Sequence, residues 1–293
     1  MKNTPIQWTD HSLNFWWGCV KVSPGCEHCY AETLSNRYKR AVWGPAKTTP
    51  RWRTTGPWRD VLAWDRQAAK KGVRQRVFCQ SMSDFFEEHP QLDAWRLDAF
   101  DILESLQWLD VQLLTKRPEN ITRMVPWSWV SGQWPEHVWI GTSVEDQKRA
   151  DERIPHLIRI PAAVRFVSIE PLLGPVDLTS IEWPNTAGHR VDVLRGGYWN
   201  KAGILFGGPS AGYGEPKGGF TSHSDMPGVI DWVITGAESG HGARTMNLDD
   251  ARSLRDQCAA AGVKFFMKQV AVNGRKLPFD QFPEDLQIRE FPR

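Results

Sequence analysis

The chain has 293 residues, 41% hydrophobic and 24% charged, with a net charge of +2, a composition that excludes disordered, collagenous and coiled-coil proteins and fits a folded globular one. The small net charge hides an asymmetry: Arg37 to Arg76 carries 12 Lys or Arg against Asp60 and Asp65, a balance of +10 that leaves −8 elsewhere. No apolar run approaches the roughly 18 residues of a membrane span, and the opening MKNTPIQWTDHS lacks the charged-then-apolar pattern of a secretory signal, so a cytosolic protein is expected.

In chain order, LNFWWG (13–18) reads as a first strand. Six further β-rich apolar runs follow at helix-length intervals: RVFCQSM (76–82), VQLLTK (111–116), VWIGTSV (138–144), VRFVSIE (164–170), DWVITGAE (231–238) and VKFFMKQ (263–269). Residues 87–107 and 247–262 place apolar side chains at helical spacing, the second with Asn247 as N-cap and Gly262 as stop. Alternating βα units predict a single α/β domain with a parallel sheet, a full or partial TIM-like (β/α) barrel. Residues 176–230 break the pattern and read as a Gly/Pro-rich loop insertion. Within it, FGGPSAGYGEPKGGF (206–220) lacks the strand-then-helix context of a phosphate loop and reads as a lid or surface loop.

In a (β/α) barrel, ligands meet the carboxyl ends of the strands. Those ends are polar here: Ser81, Ser83 and Asp84, then Lys116 and Arg117, then Ser143 and Glu145, then Glu170, Glu238 and Lys268. Singly, each has a structural explanation as a cap or a rim ion pair. In succession they point to a shared ligand pocket.

Three of the five cysteines crowd into GCVKVSPGCEHCYAE, with the spacing C-x6-C-x2-C. A framework of disulfides would be spread along the chain, so a cytosolic thiol cluster points to metal or redox chemistry. Three readings stand open. A closed zinc site needs a fourth ligand, from His28 or His11. A four-iron cluster on Cys19, Cys26 and Cys29 leaves one iron available to another ligand. The third reading is a set of unligated core thiols. Placement after the first strand, facing the polar rim, favours the iron cluster.

At this point the residues resemble a family. A three-cysteine loop after the first strand of a partial barrel, with Tyr30 beside the last cysteine, is similar to the radical S-adenosylmethionine superfamily, although its usual first interval is x3 where this chain has x6. More closely, the ordered phrases GCVKVSPGCEHCYAE, SMSDFF, LLTKRPE, GTSVEDQ, SIEPLLGP and GAESG resemble a bacteriophage-associated protein family of unknown function over roughly residues 6–270. The resemblance implies a [4Fe-4S] cluster on Cys19, Cys26 and Cys29 whose fourth iron binds S-adenosyl-L-methionine, with a 5′-deoxyadenosyl radical formed on reduction. It further implies cofactor contacts at Tyr30, Ser81, Ser83 and Asp84, ribose contacts at Ser143 and Glu145, and a reductant protein such as a flavodoxin or ferredoxin. Lys116 and Arg117 are candidates for a carboxylate or phosphate, and Lys116, Glu170 and Glu238 for the catalytic groups.

The segment NRYKRAVWGPAKTTPRWRTTGPWRD (36–60) interleaves cations with aromatic rings. It reads as a basic aromatic loop in which Arg51, Trp52, Arg53 and Arg59 meet the phosphates and bases of DNA, RNA or a nucleotide. The competing reading is a solvated loop whose tryptophans pack on the barrel. The function expected is therefore a radical-type iron–sulfur enzyme acting on a nucleic-acid base, nucleotide or other phosphorylated substrate. The competing function is a non-catalytic nucleic-acid-binding protein with a structural zinc or iron–sulfur site.

Overall fold

The structure is a computed structural model describing residues 1–184, 188–199, 205–206, 229–238, 240 and 242–292. It divides into two compact units, Met1–Gly141 and Thr142–Arg293.

The N-terminal unit begins with β1 (His11–Leu13) and a short antiparallel pair, β2 (Trp16–Trp17) with β3 (Trp52–Arg53). The expected first strand over 13–18 is therefore two elements. His11–Leu13 joins the main sheet in register with Val77–Cys79, while Trp16 and Trp17 turn away to pair with Arg53 and Trp52. The parallel strands β4 (Gln75–Cys79) and β5 (Leu109–Thr115) follow, and β6 (Val138–Ser143) spans the boundary between the units. All six residues of β6 are buried, as the two covered faces of a parallel sheet require.

Helices α1 (Tyr30–Arg37), α2 (Pro57–Lys71), α3 (Leu92–Ser105) and α4 (Ile121–Met124) complete this unit. Helix α2 corrects the reading of 36–60 as loop throughout. Pro57 opens it, Gly72 closes it at φ 64°, and Val61, Trp64 and Ala68 form its buried stripe. The density of cations masked that stripe in the sequence.

The C-terminal unit contains β7 (Arg165–Ile169), then a four-stranded antiparallel sheet of β8 (Ile181–Glu182), β9 (Arg190–Asp192), β10 (Gly197–Trp199) and β11 (Leu205–Phe206), then β12 (Trp232–Gly236) and β13 (Lys264–Gln269). The antiparallel sheet occupies part of the expected insertion. Gly212, Gly214 and Gly218 lie outside the described residues. Helix α5 (Gln147–Leu157) precedes β7, and α6 (Leu248–Ala261) joins β12 to β13. Asn247 caps α6 by accepting from the Asp249 amide at 3.0 Å, and Gly262 ends it at φ 72°, as the sequence pattern predicts. The chain end covers the free edge of β13: the Met267 amide donates to the Ile288 carbonyl and the Glu290 amide to that of Phe265.

The main sheet is parallel, with strand order β1-β4-β5-β6-β7-β12-β13, so the fold is α/β and the barrel is the partial one. No described helix is long and apolar enough to cross a membrane.

Candidate functional site

In the N-terminal unit the cysteine loop is placed from glycine upward. Gly18 sits at φ 113°, where a Cβ would lie 2.4 Å from the Val42 carbonyl oxygen. Only glycine lets the chain pass this close. The Gly18 amide donates to the Met82 carbonyl at 3.1 Å, which ties the loop to the segment after β4. Cys29 then occupies the N-cap of α1, and Tyr30, the first residue of that helix, donates its hydroxyl to the Ser81 carbonyl at 2.7 Å.

Cys19, Cys26 and Cys29 are free, half-buried thiols. Burial pushes the Cys19 thiol up to about 12 despite the neighbouring Arg117 guanidinium, whose nitrogens stand 3.7 and 3.9 Å from its sulfur. Burial also raises Cys29, while the first-turn amides of Glu32 and Ala31 oppose the rise. Positive charge acts on this loop from three sides: Arg117 on Cys19, Lys116 on Cys29, and Lys21 near Cys26 and Cys29. Among the described residues no three Cys, His, Asp or Glu side chains already stand together as a metal-ligand set. Cys26 acts electrostatically on Cys29, whereas the charges acting on Cys19 are Arg117, Glu87 and Asp84. The donor chemistry, three free thiols under positive charge, suits an anionic thiolate-bound cluster. Completing such a set requires the Cys19 sulfur to join the other two.

The strand-end residues take roles the sequence did not separate. Asp84 accepts from Thr115 Oγ1 at 2.7 Å, the Lys116 amide at 2.9 Å, the Phe86 amide at 3.0 Å and Arg117 Nη1 at 2.8 Å. Burial alone would raise its pKa, but Arg117 and these donors outweigh burial and hold the carboxyl below the usual range. Asp84 is thus a buried organiser of β4 and β5, already supplied with donors, rather than a side chain open to a cofactor. Ser81 Oγ accepts from Asn14 Nδ2 at 2.9 Å, and Ser83 Oγ donates to the Trp16 carbonyl at 3.2 Å. Asn14 and Glu87 are site-building residues that sequence reasoning missed. Glu87 follows directly on SMSDFF, but nothing local distinguishes it from Glu88.

The basic aromatic segment divides into a buried and an exposed part. Arg51 is buried: its five N–H groups go to Glu87 Oε1 and Oε2, both at 2.8 Å, and to the carbonyls of Val42, Thr49 and Gly44. No donor is left for a phosphate, which corrects its assignment to a nucleic-acid surface. Arg53 lies 4.3 Å over the Trp58 ring and pairs with Asp98, while Arg59 is exposed on the first turn of α2. Trp52 carries Arg40 at 3.9 Å on its ring and meets Trp17 edge-on at 5.1 Å, and Trp17 meets Tyr38, itself 64% exposed.

In the C-terminal unit the strand ends carry ion pairs. Glu170 accepts from Ser168 Oγ at 3.0 Å and Lys268 Nζ at 3.1 Å. Gly236 makes room for it, since a Cβ there would lie 2.8 Å from Glu170 Oε1. Glu238 holds Arg244 through the Arg244 amide at 2.8 Å and Nη2 at 2.6 Å. Glu145, fully buried, pairs with Arg153 at 3.0 Å, and the same guanidinium nitrogen donates to the Ser143 carbonyl at 2.7 Å. That burial removes the Glu145 carboxylate from the reach of a ribose.

Together these features define an α/β partial-barrel protein with a cation-flanked three-thiol loop in its first unit. The chain belongs to the DUF5131 family of proteins of unknown function, whose model matches residues 3–277. A search of curated proteins finds no match. Among solved structures, the chain is similar to spore photoproduct lyase with dinucleoside spore photoproduct, at 10% identity and a TM-score of 0.36, covering 56% of this chain and 46% of the lyase. A form of that lyase with bound AdoMet matches to the same extent. A third complex matches at a TM-score of 0.35 over 58% of this chain and 50% of the lyase. The matches span about half of the lyase chain.

Proposed function

We propose that this protein is a radical-type iron–sulfur enzyme acting on a nucleic-acid base, a nucleotide or another phosphorylated substrate. The observation that carries the reading is the loop of three free cysteines, with the Arg117 guanidinium 3.7 Å from the Cys19 sulfur and the charges of Lys21 and Lys116 felt by the others, in the N-terminal unit of a partial (β/α) barrel. Cys19, Cys26 and Cys29 would hold a [4Fe-4S] cluster; with S-adenosyl-L-methionine such a cluster supplies a 5′-deoxyadenosyl radical on one-electron reduction, the electron coming from a flavodoxin- or ferredoxin-type partner. The chain's own part is to place the thiolates, exclude water and orient the substrate. The Tyr30 hydroxyl, next to the last cysteine, donates to the Ser81 carbonyl just past β4, and the charge of Lys116 favours the Cys29 thiolate. The bacteriophage association belongs to the same reading and rests on the wording of the sequence alone.

The test is anaerobic reconstitution, analysis for iron, sulfide and zinc, and assay of 5′-deoxyadenosine released from S-adenosylmethionine under dithionite. About four irons per chain, lost in Cys26→Ala, with cysteine-dependent cleavage is the expected result. Stoichiometric zinc without cleavage would overturn it in favour of a structural zinc site in a binding protein.

Of the arginines assigned to nucleic acid, Arg53 and Arg59 are exposed, Arg53 with Asp98 beside it. Replacing both with Ala should weaken binding of a single-stranded oligonucleotide and lower the slope of log affinity against log salt by about 0.7 per lost phosphate contact, read by fluorescence anisotropy. An unchanged slope would remove nucleic acid from the reading.

A further inference from the structure

We propose that Tyr38 and Arg40, presented by the turn that closes α1 against the Trp17 and Trp52 face of the β2–β3 ribbon, form a stacking platform for the bases of a single-stranded nucleic acid, with Arg37 and Lys39 meeting its phosphates. The proposal deepens the reading of the basic segment as a nucleic-acid surface and rests on it.

The ribbon sorts its side chains by face. Trp17 is paired with Trp52 and Trp16 with Arg53, and alternation along each strand sends the two pairs to opposite sides. Trp16 goes into the core, so Trp17 and Trp52, both half-buried, turn to the other side, where their rings meet edge-on at 5.1 Å. The turn after α1 packs on that side and is held as a Schellman closure. The Lys39 amide donates to the Asn36 carbonyl at 2.9 Å and the Arg40 amide to that of Ser35 at 3.0 Å, with Lys39 at φ 54°. The buried Ser35 hydroxyl fixes the turn again by donating to the Arg40 carbonyl at 2.8 Å.

Two side chains are thereby set in place. Tyr38 holds its ring 5.9 Å from that of Trp17 and remains 64% exposed, while Arg40 lies 3.9 Å over the Trp52 ring. Arg37, Lys39 and Arg40 are exposed, and among the described residues their side chains make no ion pair or hydrogen bond. Arg51 and Arg53, by contrast, are held by Glu87 and Asp98. A phenol ring, a guanidinium plane and three positive charges therefore face solvent in one ordered arrangement, which lowers the ordering cost of binding. The chemistry that complements it is a polyanion carrying planar groups: bases stack on the ring and the guanidinium, and phosphates meet the charges. A duplex hides its base faces, so the fit is to a single strand. Gly18 and Cys19 directly follow Trp17, so a strand on this platform runs beside the cysteine loop.

The experiment measures, by fluorescence anisotropy, binding of the full chain to a labelled thymidine strand of about 12 nucleotides, an abasic strand of that length and a duplex of that length. A uridine strand serves as the RNA arm, and the tighter of the two names the sugar. Wild type should bind the thymidine strand about tenfold more tightly than the abasic one. Tyr38→Ala should lose about tenfold on the thymidine strand and leave the abasic strand unchanged, whereas Tyr38→Phe, which keeps the ring, should bind as wild type does. Arg40→Lys keeps the charge without the plane, so it should weaken thymidine binding at an unchanged salt slope. Replacing Arg37 and Lys39 with Ala should instead lower that slope by about 0.7 per lost phosphate contact.

An abasic strand or a duplex bound as tightly as the thymidine strand would overturn the platform, as would thymidine binding that Tyr38→Ala leaves untouched. Either result would still leave a surface that binds phosphates. Wild type that binds none of the strands would remove the nucleic-acid reading itself, and this proposal with it. Arg53 starts from the other face of the ribbon, so its replacement and that of Tyr38 report separately. Should Tyr38→Ala fail to fold by circular dichroism, the thymidine and abasic strands on wild type and Arg40→Lys decide.

Discussion

Glu87→Ala is expected to destabilise the N-terminal unit by about 3–5 kcal/mol, the cost of leaving a buried cation without its partner. The Arg51 and Glu87 side chains are 0% and 1% exposed, and the guanidinium meets the carboxylate through two parallel bonds of 2.8 Å. Removing the carboxylate strands a charge whose other donors are already committed to three backbone carbonyls. The loss exceeds that of a surface pair such as Arg123 with Glu88, worth about 0–1 kcal/mol. Urea denaturation followed by tryptophan fluorescence, with Glu88→Ala as the control, checks this. Equal midpoints for the two variants would show that the buried pair is not what holds residues 42–51 against the segment after β4. Glu87→Gln, which keeps acceptor capacity at one oxygen, should fall between wild type and Ala.

Gly18→Ala is the second large effect. At φ 113° a non-glycine residue is strained by about 1–3 kcal/mol before any contact is counted. The added Cβ would also lie 2.4 Å from the Val42 carbonyl oxygen and 2.7 Å from Arg51 Cδ. Neither neighbour yields easily: one is backbone, and the other belongs to a guanidinium held by five hydrogen bonds. A loss of about 3 kcal/mol or more is expected. Gly72→Ala is the matched control. It too has positive φ, at 64°, but its Cβ would meet nothing within 4 Å, so about 1–2 kcal/mol is expected. Equal melting temperatures for the two variants would refute the close-contact account of Gly18.

The strands and α6 were legible because their signals are local. Val138–Trp139–Ile140 in β6 and Trp232–Val233–Ile234 in β12 are continuous apolar runs, all buried, as expected of strands covered on both faces. Asn247 and Gly262 are themselves the cap and the stop of α6. The cysteine spacing was equally plain. Helix α2 was hidden because its buried stripe, Val61, Trp64 and Ala68, alternates with cations. The first strand was misplaced because WW looks like core, and one of its two rings is core: Trp16 is fully buried while Trp17 is only half-buried.

What the sequence by itself determined, then, is the βα order, the caps of α6 and the thiol set, since each depends on residues within a turn or two of one another. What only the tertiary structure decided is the use of each charge. Arg51 and Arg53 are neighbours in the same basic run, yet Arg51 is spent on Glu87, 36 residues away, while Arg53 is 41% exposed at its side chain. Asp84 and Glu145 look like ligand-facing acids until Arg117 and Arg153 are seen holding them. A charge writes its sign into the sequence, but its availability depends on desolvation and on a partner brought up by the fold, and both are long-range properties of the packed chain.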